Sequence, residues 1–256
     1  YATSDMATIY QRMQDFKPNY ILYVVDNRQS LYFEQVFRAC EISNLTNGTV
    51  LEHDAFGTIN GKDGKPFKTR SGETLKLEDL IKQTKEIFLS KKETNKDMDE
   101  KDIDIIVNAI LKYADLQNNR ENNYVFDIDK FADVNGKTGP YLLYTAVRIR
   151  KIVQENKVLL AKMTNRIYNK YDKDLRMELL KVEDAINNAV QKRMPHFIAD
   201  YLYNLAVLTN TFYQNNNISR QDDEQIKSDW INLLDYTYKV MEKLLGLLII
   251  EIPSQM

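Results

Sequence analysis

The apolar pattern of the chain changes period twice in its first sixty residues. Asn19 to Val25 (NYILYVV) is a continuous β-rich run that stops at the polar Asp26, Asn27, Arg28 and Gln29, as a buried parallel strand does. Ser30 to Ala39 then spaces Leu31, Phe33, Val36 and Phe37 as a helix would, and Thr49 to Phe56 returns to strand. The unit predicted is β-α-β, which places ligands beyond the carboxyl ends of its strands. From Leu77 onward the pattern is almost wholly helical. Glu78-Asp79 starts a helix reaching Phe88, and Asp99 to Leu116 sets Ile103, Ile106, Val107, Ile110 and Leu111 on one face. Lys91 to Lys101 is a charged connection, and 117–139 is irregular, with Asn118, Asn119, Asn122 and Asn123. After Gly139-Pro140, long helices are predicted over roughly 140–170, 174–193, 196–214 and 221–246, the last closing in the apolar Leu244 to Ile252. The fold class is therefore α/β plus all-α, with residues 1–135 as one domain and 136–256 as the other.

Candidate chemistry concentrates in His53 to Gly72 (HDAFGTINGKDGKPFKTRSG), directly after the second strand. Five of the eight glycines (Gly48, Gly57, Gly61, Gly64 and Gly72) fall between 48 and 72, and Lys62, Lys65, Lys68 and Arg70 interleave with the last three. Glycine lets backbone N–H groups face an anion without a Cβ in the way, and the cations add field. A solvated hairpin turning at Asp63-Gly64 is the competing reading. Tyr1 and Asp5, four apart, share a face if helical, so that a carboxylate and a ring face one ligand.

Charge sharpens this picture. The net charge of −2 conceals a basic block: residues 137–220 carry 14 Lys and Arg against 7 Asp and Glu, while 95–136 carry 5 against 10 and 221–256 carry 3 against 7. A basic block between acidic ones suits a polyanion that docks at a defined place, although a solvated helical surface also carries such an excess. No apolar run approaches the ~20 residues that span a bilayer, so no membrane partner is expected. Cys40 is the only cysteine, which excludes an internal disulfide and a Cys-based zinc site and fits a reducing, cytoplasmic setting. Asp127, Asp129 and Asp133 lack the glycine and terminal glutamate of a calcium loop and alternate with Phe126, Ile128 and Phe131, so no metal site is assigned.

Several motifs, in one order, carry a resemblance. KPFKTRSG followed by ETLKLEDLI resembles the loop that arginyl-tRNA synthetases carry in place of the KMSKS signature of class I aminoacyl-tRNA synthetases. YATSD (Tyr1 to Asp5) resembles the Tyr-x-x-x-Asp element that grips arginine in that family, and YVVDNRQSLYFEQVF resembles the strand and helix after it. KYADLQNNRENNYVFDIDKF, GPYLLYTAVRIRKI and PHFIADYLYNLAVLTNTFY are similar to its connector and to the start and middle of its helical anticodon-binding domain. The resemblance implies a partial Rossmann-like nucleotide-binding catalytic half followed by a helical-bundle anticodon-binding domain. The family's HIGH-type motif has no counterpart: the two histidines, His53 and His196, stand in other settings. The expectation is a carboxy-terminal fragment of a longer synthetase, inactive alone.

The resemblance also implies the partners: arginine, tRNA(Arg) and ATP as co-substrate, with Mg2+ arriving on ATP and no tightly bound cofactor. Tyr1, Asp5 and Gln29 match the arginine pocket. His53, Phe56 and Gly57 precede the loop where the family contacts adenosine, and Lys68, Thr69, Arg70, Ser71 and Gly72 are the candidates for the phosphates, with Lys68 and Arg70 as the catalytic cations. Arg70 and Ser71 stand where the general class signature has a two-lysine pattern, which leaves open which cation matters most. Tyr141, Tyr144, Arg148 and Arg150 follow Pro140 at helical spacing and combine rings for unstacked bases with cations for phosphates. Against this, Tyr144 and Val147 also fit a helical core. The intact enzyme is expected to be a monomer; the fragment, with strand edges open, is expected to be prone to self-association. A tRNA-binding module without catalysis and a protein-interaction domain are the competing functions.

Overall fold

The computed structural model describes residues 1–62, 64–65, 76–91, 98–160, 164 and 166–256. The chain divides into two compact units, Tyr1–Pro66 with Arg120–Val125, and Phe67–Asn119 with Phe126–Met256.

In the first unit, helix α1 (Ala2–Phe16) precedes strand β1 (Tyr20–Asp26), helix α2 (Ser30–Ile42) and strand β2 (Val50–Phe56). α1 stops because Lys17 turns left-handed (φ 46°) and Pro18 has no N–H to continue the helix. β1 and β2 pair in parallel from Tyr20 opposite Val50 to Asp26 opposite Phe56, so their carboxyl ends lie side by side, as the β-α-β reading requires. Ile9, Phe33, Val36, Phe37 and Cys40 form the core, with Met6, Met13, Tyr23, Val25 and Leu51 against it. The chain enters β2 through Thr46-Asn47-Gly48-Thr49. Thr49 N–H donates to Thr46 C=O at 2.8 Å, and Asn47 and Gly48 both take positive φ (45° and 86°), the pair of conformations a type I′ turn needs.

The β1 run reads as buried on both faces, but the structure differs. Tyr20, Leu22 and Val24 are exposed, while Ile21, Tyr23 and Val25 face the α1 and α2 core. Among the described residues of this unit, helices cover one face of the sheet only. Two short strands, β3 (Ile59–Asn60) and β4 (Tyr124–Val125), also pair in parallel and bring residues 120–125 to the end of β2.

The second unit holds α3 (Leu77–Lys91), α4 (Glu100–Leu116), α5 (Ile128–Phe131), α6 (Gly139–Glu155), α7 (Lys170–Leu179), α8 (Val182–Lys192), α9 (His196–Asn215) and α10 (Glu224–Leu247). α6 packs on α4, α9 and α10. Its first residue must be glycine, because a Cβ on Gly139 would lie 2.5 Å from the Ala109 carbonyl oxygen of α4. Phe126, Ile128 and Phe131 are buried, as their alternation with aspartates suggested.

Two of the expected helices depart from the periodicity. α6 ends at Glu155, where the Asn156 side chain donates back to Ile152 C=O at 2.8 Å, and does not run to 170. The expected helix over 174–193 is two helices. Near the break the buried Glu178 pairs with Lys181 Nζ at 2.7 Å, and its carbonyl accepts from Tyr201 Oη at 3.1 Å. Asn169 and Asp172 close a reciprocal cap at the start of α7, which fixes where helix resumes. The last helix stops at Leu247, at the expected end. Ile249 turns left-handed (φ 56°), and the tail folds back so that Ile250 and Pro253 are buried.

Candidate functional site

At the amino end of the first unit, Tyr1 caps α1 through its backbone: its carbonyl accepts from Asp5 N–H at 3.0 Å, and its side chain is fully exposed. One turn on, the half-buried Asp5 accepts a short hydrogen bond on Oδ2 from the Tyr32 hydroxyl of α2. That bond, with burial second, pushes the Tyr32 phenol up to about 12, so it stays a protonated donor. Behind it, Tyr23 Oη accepts from Arg12 Nη1 at 3.1 Å, and the Arg12 guanidinium also lies 5.5 Å from the Tyr23 ring centre. Burial raises the Tyr23 phenol, with Arg12 opposing.

Gln29 is exposed and ends a 3₁₀ turn (Asn27–Gln29) at the carboxyl edge of β1. Asp26 organises that turn, accepting from Arg28 N at 2.9 Å and from Arg28 Nε and Nη2 at 2.8 and 2.7 Å. These hydrogen bonds hold the Asp26 carboxyl down at about 2. Among the described residues no hydrogen bond joins Tyr1 or Gln29 to Asp5 through a side chain; the structure ties Asp5 to Tyr32 instead.

On the nucleotide side, His53 Nε2 donates to Val25 C=O at 3.1 Å and its ring lies 5.0 Å from Phe33, which ties it into the sheet. Phe56 is 39% exposed, and Gly57 follows it where no other residue fits: a Cβ would lie 2.4 Å from the Asn122 backbone. Arg120 holds this end of β2. Its Nη2 lies 3.5 Å from the buried Asp54 carboxylate, its Nη1 donates to Ala55 C=O, and its own carbonyl accepts from Gly57 N–H at 2.8 Å. Asn123 Oδ1 adds a bond from Thr58 N at 2.7 Å, and Asn27 Nδ2 donates to Glu121 C=O at 3.2 Å. Residues 120–123, legible only as loop, thus strap the segment that leads into the glycine-rich loop. Gly61 N–H donates to Lys65 C=O at 2.8 Å, with Gly64 between them at φ 73°. Lys68, Thr69, Arg70, Ser71 and Gly72 lie outside the described residues, as does Asp63.

In the second unit, Arg148 of α6 is the centre of a polar and aromatic face. Its guanidinium lies 4.4 Å from the Tyr144 ring centre and 5.4 Å from that of Tyr213, donates to Tyr144 Oη, and reaches Asn210 Oδ1 at 3.2 Å. Asn210 Nδ2 donates in turn to Tyr141 Oη at 3.0 Å and Thr145 Oγ1 at 2.9 Å, and Tyr141 lies 5.8 Å from Tyr203. Tyr144 and Tyr213 keep 41% and 39% of their surface exposed, so two accessible rings stand beside one guanidinium. Tyr213 and Asn210 on α9 were not legible as partners, because only tertiary packing sets α9 beside α6. Arg150 stands apart from this group. Its Nη2 donates to Pro253 C=O at 2.5 Å and Ser254 C=O at 2.7 Å, beside the Asp102 carboxylate that accepts from Ser254 N at 2.7 Å and Gln255 N at 3.2 Å. Among the described residues, no group of three His, Cys, Asp or Glu side chains is arranged to hold a metal, and no helix is long and apolar enough to cross a membrane.

Residues 1–128 match the family model for tRNA synthetases class I (R), catalytic domain, and residues 142–256 match the DALR anticodon binding domain. A parallel β-α-β unit followed by a helical bundle of this kind is the catalytic and anticodon-side architecture of a class I aminoacyl-tRNA synthetase. The chain is 44% identical to an arginine–tRNA ligase of Francisella tularensis subsp. novicida and 40% identical to that of Alkaliphilus oremlandii, covering all of this chain and 45% of each relative. Its fold is shared with an arginyl-tRNA synthetase from Plasmodium falciparum (24% identity, TM-score 0.80, 100% of this chain and 44% of that one) and the Thermus thermophilus enzyme (20%, 0.79, 94% and 42%). The chain belongs to the arginyl-tRNA synthetase family, and it spans about 45% of the length of the curated relatives it matches.

Proposed function

We propose that these 256 residues work as part of a longer arginine–tRNA ligase, supplying part of the arginine and ATP sites and the anticodon-side bundle. The observation that carries the reading is the match along the whole chain to arginine–tRNA ligases, together with the absence of a HIGH-type motif within it. In the first step the arginine carboxylate oxygen attacks the α-phosphorus of ATP, and pyrophosphate leaves. In the second, a hydroxyl of the terminal tRNA ribose attacks the adenylate carbonyl, and AMP leaves. Such chemistry asks the protein for positioning and charge stabilisation. Asp5 meets the arginine guanidinium, with Tyr1 and Gln29 completing the contact. Phe56 and Gly57 face adenosine, and Lys68 and Arg70, with Thr69, Ser71 and Gly72, meet the phosphates, to which Mg2+ comes bound on ATP. His53, held on Val25, supports the strand beneath the nucleotide. Tyr144 and Arg148, backed by Tyr141, meet tRNA(Arg), while Arg150 orders the tail it holds. The setting is the cytoplasm.

Arginine-dependent ATP–pyrophosphate exchange, with tRNA(Arg) present, tests the reading. The full-length protein exchanges and this chain alone does not; exchange by the chain alone, or none by the full-length protein, overturns it. A second reading, a tRNA-binding module without catalysis, is favoured by the Tyr144–Arg148–Tyr213 face, which is complete within one unit. In that case Lys68→Ala and Arg70→Ala leave tRNA affinity unchanged and the full-length protein makes no adenylate.

A further inference from the structure

An aspartate meant for a guanidinium is useful only if its carboxylate is held where the ligand arrives, since bidentate pairing tolerates little misalignment. Asp5 sits in the first turn of α1, on a side chain with two free torsions, and α1 alone does not fix it. The contact that does comes from α2. Tyr32 donates its hydroxyl to Asp5 Oδ2, and its ring stands edge-on to Phe33, 5.3 Å between centres. Phe33 is itself locked, 5% exposed and in ring contact with Tyr23, Phe37 and His53 at 5.0–5.6 Å. Rigidity thus passes from the core through Phe33 and Tyr32 to one oxygen of Asp5. Among the described residues the other oxygen, Oδ1, has no hydrogen-bond partner, and Oδ2 keeps a second lone pair.

We infer that Tyr32 is a positioning residue for the arginine substrate: its hydroxyl holds the Asp5 carboxylate in the orientation that receives the guanidinium. The inference rests on the arginine-ligase reading above. It predicts an effect confined to one substrate. In the full-length protein, Tyr32→Phe keeps the ring packing and removes only the hydroxyl, so KM for arginine rises about tenfold, as expected for one hydrogen bond to a charged group. KM for ATP and for tRNA(Arg) and the thermal midpoint stay at wild-type values. Tyr32→Leu removes the ring as well and lowers the thermal midpoint, which separates packing from positioning. An unchanged arginine KM in Tyr32→Phe, or equal rises for all three substrates, overturns the inference. If wild-type protein fails to consume arginine, the functional reading fails; if wild type is active and Tyr32→Phe equals it, the role of Tyr32 alone fails.

Discussion

Asp229→Ala unfastens the segment between α6 and α7. The Asp229 carboxylate is fully buried and accepts from Thr164 N at 2.8 Å, Tyr168 Oη at 2.6 Å, Gln225 Nε2 at 3.3 Å and the Thr164 hydroxyl. A hydrogen bond to a charged group contributes about 1.5–3 kcal/mol, but Thr164 and Tyr168 are half-buried and water can replace part of what they lose. At about 1 kcal/mol for each of the three stronger bonds, the helical unit loses about 3 kcal/mol. With a urea slope of about 2 kcal/mol/M, its midpoint falls by about 1.5 M. Trp230, the only tryptophan, reports this directly, because it is buried with its ring edge-on to Tyr168 at 6.5 Å and to Phe212 at 6.0 Å. The assay is urea unfolding of the 256-residue chain followed by Trp230 fluorescence. pH supplies a second arm. Burial by itself raises the Asp229 carboxyl, but the hydrogen bonds outweigh it and hold the group below its ordinary value. Its contribution is therefore complete above the ordinary carboxylate value of about 3.9 and is lost as pH falls through the lower folded value. The gap between wild type and variant stays constant above about pH 5 and closes only in acid. A midpoint shift below about 0.5 M at neutral pH would refute the reasoning, and so would a gap that widened on acidification.

Other expectations follow from single contacts. Gly57→Ala sets a Cβ against the Asn122 backbone at 2.4 Å, so residues 120–125 shift and amide hydrogen exchange there rises, while protection in α9 stays as in wild type. Arg148→Ala lowers tRNA(Arg) affinity measured by anisotropy and reduces the salt slope by about one unit, whereas Arg148→Lys keeps the slope but binds more weakly because the planar stack on Tyr144 and Tyr213 is gone; an unchanged slope in the alanine variant removes Arg148 from the interface. Asp102→Ala releases Ser254 and Gln255, so carboxypeptidase trims the tail faster than in wild type, and equal rates mean that Asp102 does not hold it. The exposed Tyr20, Leu22 and Val24 face predicts reversible self-association of the isolated chain; sedimentation across a concentration series checks it, and Val24→Lys restores the monomer.

The periodicity alone determined the β-α-β unit and the helical remainder, because apolar spacing is a local property that propensity and burial enforce together. It set β1, α2, β2, α4 and α9 to within a few residues. Motif order pointed to the family, since the residues at Tyr1 to Asp5, Lys65 to Gly72 and 139–152 are sequence facts before they are structural ones. The cap that starts α7 is local, but what holds the segment before it was not legible, because it is Asp229 on α10, some sixty residues away from Thr164 and Tyr168. The same reason separates the site residues. Tyr144 and Arg148 stand one turn apart on one helix and their partnership could be read from spacing, but Tyr213 and Asn210 join them only once α9 packs on α6. Arg150 carries the same charge two residues later, yet packing turns it onto the carboxy-terminal tail. Tyr32 and Arg120 lie inside segments that resemble the family, yet neither stands out in them: Tyr32 matters through its long-range bond to Asp5, and Arg120 through its contacts with Asp54, Ala55 and Gly57, and such contacts exist only after the chain has folded.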